Sequence, residues 1–143
     1  MSNETSVNRK IASEIVSFSC DAAVASSVAS RDLLVAKGAW RVASITAIFG
    51  TASSSGTIAV RKITDTSAAN AAASSTVNEV ISGTTISLAG TVNTPVTATL
   101  TATDADRILK PGDRLAVNFA GTMTSLAGCL IQIELQPATK YAN

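Results

Sequence analysis

The chain contains no histidine. Ser-His-Asp and Cys-His nucleophile systems in their usual form are thereby excluded, as are zinc sites built on imidazole. Charge is also scarce: 15% of residues are charged and the net charge is +1. A nucleic-acid binder needs a basic stripe, so no nucleic-acid partner is expected. No apolar run approaches the roughly 18 residues of a transmembrane helix, and no membrane partner is expected. Arg9 and Lys10 precede an apolar segment, but Glu14 and Asp21 interrupt it. A signal peptide does not tolerate that, so the segment reads as mature protein assembled in a cytoplasm. Aromatic residues make 3% of the chain. Phe18, Phe49 and Phe119 fall in apolar strand phases and read as core, which leaves little for a sugar-binding platform. Two cysteines, Cys20 and Cys129, do not make a disulfide framework. Each sits in an apolar run and reads as a small buried hydrophobe. A bridge between them would require the first and last strands to be neighbours.

What is present in quantity is small residues. Ala, Ser and Thr together make 61 of the 143 positions. Few long polar side chains cover the surface, which suits burial against other subunits. A chain of this length forms one domain and buries about 68% of its unfolded surface.

Alternation of apolar and polar residues runs through the chain, and a period of two marks strands with one buried face. Val16, Phe18 and Cys20 share one phase; so do Ala43, Ile45, Ala47 and Phe49. Val42 and Ile48 in the opposite phase predict partial cover on both faces. Val92, Val96, Ala98, Leu100 and Ala102 alternate with five threonines, which predicts a strand over 91–103 broken at Asp104. Leu115, Val117 and Phe119, then Cys129, Ile131, Ile133 and Leu135, predict a final pair of strands. Lys110-Pro111-Gly112-Asp113 supplies turn chemistry ahead of them, because Pro presets φ and Gly accepts φ > 0. Residues 64–76 are rich in Ala, Ser and Asn and read as a loop. About eight strands with frequent turns predict an all-β, antiparallel, jelly-roll-like sandwich over residues 11–143, preceded by a flexible polar arm over 1–10.

Candidate chemistry is thin. Asp104 and Asp106 are the one close acidic pair, and a hard cation wants more oxygen ligands than they offer. They read as a solvated turn with Arg107 as partner. Nothing places Asp65 and Glu79 in one acid/base pocket. Arg61 and Lys62 are consecutive in a strand and point to opposite faces, which weakens a phosphate-binding reading. Neither enzymatic activity, a cofactor nor a metal is expected. The candidate contact residues are Arg9 and Lys10 in the arm and Trp40 at a sheet end.

Three ordered stretches carry a family resemblance. They are Leu34-Val35-Ala36 through Trp40 to Ile45 and Phe49 to Ala52; Gly56 through Val60-Arg61-Lys62; and Leu109 to Val117 through Gly121-Thr122 and Leu126-Ala127-Gly128. Their combination, spanning about 33–136, resembles small structural proteins of tailed phages that decorate the capsid, often called cement proteins. The resemblance implies a β-sandwich that trimerises, binds the outer surface of the major capsid protein and stabilises the shell. It implies a virion location and supplies no catalytic or metal residues. The alternative function is a head-fibre or tail-spike domain that binds a host receptor.

Overall fold

The computed structural model describes residues 13–20, 30–81, 86–121 and 125–138, with backbone alone at 18–20. Two antiparallel sheets pack face to face. The first contains β1 (Glu14–Cys20), β10 (Cys129–Pro137) and β3 (Trp40–Ile48), in that order. Its last position is shared by two short pieces, β7 (Val96–Thr97) and β8 (Ile108–Leu109), both paired to β3. The second sheet runs β2 (Arg31–Val35), β9 (Arg114–Ala120) and β4 (Thr57–Ile63). Its last position is again split, between β5 (Val77–Glu79) and β6 (Ile86–Ser87).

The ten described strands therefore occupy eight positions. Their pairing is nested: β1 with β10, β2 with β9, β3 with β7 and β8, β4 with β5 and β6. That is one long antiparallel hairpin folded over into two sheets, the topology of a jelly roll. The all-β sandwich expected from the alternation is the fold.

The core lies between the sheets. Ile45, Phe49, Ile58, Leu115, Leu126, Ile131 and Ile133 are fully buried there. The alternating residues of β9 and β10 face it as the pattern requires, with Phe119 and Cys129 included. A smaller apolar cluster of Ile63, Ala69, Val77 and Ala116 sits apart from it. It includes Ala69 from the loop 64–76. Arg61 helps to hold that loop, donating to Ala71 O at 2.6 Å and to Glu79 Oε1 at 2.7 Å.

Three local predictions need correction. Val42 is fully buried in the main core, not on a second covered face. Ser44 pairs with Glu134 but Val42 with Leu135, so Ala43 is the extra residue of a bulge that turns Val42 inward. The strand expected over 91–103 forms only at Val96–Thr97. Pro95 lacks a donor, Asn93 adopts φ 56, and Val92 is left exposed. Beyond Thr97 the chain crosses between sheets: Ala98 N bonds to Ile45 O in the first, and Thr101 N to Val80 O beside the second. Asp104–Arg107 is a short helical turn, α1, where a plain turn was expected.

Candidate interaction surfaces

The strands carry the chain back and forth between two ends of the sandwich, and the ends differ in chemistry. At one end β3 begins with Trp40, β4 finishes at Ile63 and β9 begins with Arg114. The charged side chains gathered there hold the chain together. Arg41 grips Asp104 with both terminal nitrogens, at 2.6 and 2.7 Å, and Arg107 reaches the same carboxylate at 2.8 Å. These bonds, Arg41's first, hold Asp104 below its ordinary carboxylate range. Arg114 bonds to Asp32 at 2.9 Å and to the carbonyls of Asp65 and Ser67. Asp65 is also lowered, first by the Ser67 amide and then by the Thr76 hydroxyl.

Lys62, read in the sequence only as one half of a basic doublet, has a bracing position at this end. It shares the inward phase of Ile58 and Val60 and is only 9% exposed. Its Nζ donates to Ala105 O at 2.7 Å and Ile108 O at 3.3 Å. It thus ties α1 across the end of the sandwich. The expected split between Arg61 and Lys62 holds, with Arg61 bonded to Glu79 and the loop carbonyl of Ala71.

Beside this framework a cavity of about 240 Å³ opens between the edge strands β1 and β2. Val16, Leu34, Ala36, Trp40 and Leu135 contribute to its lining, together with Glu14, Val35 and Lys37. Trp40 is half-buried and pairs with Leu109 on one side and Pro137 on the other. Bulges flank the cavity: Ala43 in β3, and Leu33 in β2, the residue skipped between the pairs Asp32–Ala116 and Leu34–Leu115. Bulges recur where a strand must re-aim its side chains. Arg9 and Lys10 lie outside the described residues. Asp104 and Asp106 form no metal-ligating group, and the described residues hold no such cluster elsewhere. Asp65 and Glu79 are engaged separately, by Ser67 and Thr76 and by Arg61.

Among the described residues, the opposite end includes the loops 49–56 and 88–95, Gly121 and residues 125–128; residues 21–29 and 122–124 lie outside the description. None of the described stretches at this end contains a charged residue. Thr51, Ser54, Ser55, Thr91, Thr94 and Ser125 are exposed on them. Backbone bonds interlock the loops. Gly50 N and Thr51 N both donate to Ala127 O, at 3.1 and 3.0 Å, and Asn93 N donates to Phe49 O at 2.8 Å. Ser53 N reaches Leu88 O at 2.9 Å. Gly121, at φ 83, lies where a Cβ would stand 2.9 Å from the Gly56 Cα. Small residues thus let two loop backbones touch.

A signal for this surface exists in the sequence. The runs 42–60, 80–103 and 115–133 carry no charge, and each reverses direction at this same end. Only the topology shows that the three runs meet.

No protein-family model, no characterised protein and no solved structure matches the chain. Jelly rolls serve viral capsids, lectins and cupins alike, so the fold by itself assigns no function.

Proposed function

We propose that this chain is a capsid decoration protein of a tailed phage, which binds the outer surface of the major capsid protein and stabilises the shell. The observation that carries the reading is the absence of charge from the interlocked loops described at this end. Centres of protein interfaces are depleted in charge. Short side chains on a hydrogen-bonded loop framework lose little conformational freedom on docking. The ordered motifs of 33–136 that resemble cement proteins support the same reading. In mechanism, each copy seats this end on neighbouring capsid subunits, so that outward pressure on the shell must break those contacts. A specific interface has a scale of about 1,600 Å². Repetition over a lattice multiplies the effect of each weak contact.

Self-association as a trimer belongs to the proposal. It is motivated by the low charge and by the edges of β1 and β2, where Ile15 is 57% and Val35 53% exposed. Sedimentation of the purified chain tests it: a trimer is expected, and a monomer at high concentration counts against it.

The direct test introduces charge at the docking end. Ser54→Lys with Thr94→Lys should weaken attachment to undecorated capsids by tenfold or more while leaving the melting temperature nearly unchanged. Unaltered attachment overturns the assignment of this surface. A second reading rests on the cavity at Trp40, where an indole edges a small apolar hollow between Glu14 and Lys37. A host-receptor domain would use such a site. Under that reading Trp40→Ala abolishes cell binding and the two lysines do not.

A further inference from the structure

The chain has two cysteines, and β1 and β10 bring their positions together. Seven consecutive residue pairs join these strands without a register shift, from Glu14 opposite Leu135 to Cys20 opposite Cys129. The register is well determined. A slip of β1 by one residue would turn Val16, which packs against the core, to the other face. Directly opposed residues in an antiparallel pair have Cα atoms about 4.5 or about 5.5 Å apart, according to their hydrogen-bonding phase. Both distances fall within the range of roughly 4.4–6.8 Å that a disulfide spans.

We propose that Cys20 and Cys129 form a cross-strand disulfide when the protein meets an oxidising medium, locking the edge strand β1 onto β10. The condition that the first and last strands be neighbours is met at the one register that opposes the two residues. Cys129 is 1% exposed, so reaction awaits a local opening of the edge strand, the first kind of opening a sandwich makes. With a low-molecular-weight disulfide such as oxidised glutathione, one cysteine thiolate attacks it and expels a glutathione thiolate. The second cysteine thiolate then attacks the mixed disulfide and expels the other. One sulfur–sulfur bond forms in the protein and one breaks in the oxidant. The two protons from the cysteines pass to the two glutathione thiolates. In a reducing cytoplasm the pair stays as thiols; outside the cell it closes. The bond would close most of the chain into one loop, and longer loops gain more. This inference is independent of what the protein binds.

The test uses the full chain. Protein reduced with dithiothreitol is equilibrated with oxidised glutathione at about pH 8, near the ordinary thiol pKa. It is then alkylated and analysed by intact mass and peptide mapping. The expected product is a monomeric chain lighter by two hydrogens, with a linked Cys20–Cys129 peptide. Its melting temperature should exceed that of the reduced form by roughly 10 °C. The double variant Cys20→Ala with Cys129→Ala should melt identically in oxidant and reductant. Two alkylated cysteines after equilibration, stable glutathione adducts, or disulfide-joined pairs of chains as the main product would overturn the proposal. So would a linked form that melts no higher than the reduced one.

Discussion

Lys62 shows how a single side chain can be misjudged when only its neighbours in sequence are known. Beside Arg61 it reads as one half of a basic doublet, and the strand period correctly sends the pair to opposite sides. What the period does not say is that the inward side at this point meets α1, whose carbonyls replace water around the ammonium. A buried charge persists only with such partners. Replacing Lys62 by Met keeps the stem and removes the donors, leaving the carbonyls of Ala105 and Ile108 short of a partner. The expected loss is about 1–3 kcal/mol, read from denaturant unfolding. Asp65 and Asp104 act at the same scale through protonation. Both have folded-state pKa values below their ordinary 3.8. Their contribution is therefore present above that value and is lost as the pH falls through the lowered folded values. The melting temperature of the native chain should drop more steeply below about pH 4 than that of Asp65→Asn with Asp104→Asn. Parallel curves would show that neither carboxylate is held as described.

Among the elements, legibility followed the length of the alternating pattern. The strands β3, β9 and β10 have seven or nine residues each, and the period of two in them is visible without a structure. The edge positions beside β3 and β4 are not legible in that way. There the chain contributes pieces of two or three residues that owe their pairing to β3 and β4. The stretch 91–103 alternates well, yet Pro95 and the turn at Asn93 override it. The bulge at Ala43 is likewise silent in the sequence, because one extra residue in a strand changes the phase without changing the composition. The candidate docking end was hidden for another reason: its charge-free runs are far apart in the chain. Its rigidity can be tested at the contact of its loops. Gly121→Ala combines a positive φ with a Cβ 2.9 Å from the Gly56 Cα, whereas at Gly128 the closest approach is 3.4 Å. The first substitution should destabilise by about 2–4 kcal/mol, and the second by about 1. Equal melting temperatures for the two variants would show that the loops yield freely.

For the molecule as a whole, the two ends of the sandwich differ in chemistry. Ionic and polar bonds of Arg41, Asp104, Arg114 and Lys62 brace one end, while interlocked neutral loops finish the other. Under the proposed function, the braced end supplies a stable body and the described neutral loops a surface that docks at little entropic cost. The measurement that tests the proposed function most directly is cryo-electron microscopy of tailed-phage particles assembled in the presence of the protein. The account predicts jelly-roll density on the outer face of the shell, with loops 49–56, 88–95 and 121–128 against the major capsid subunits. Absence of the protein from the shell, or its attachment with the Arg41–Asp104 end inward, would contradict it.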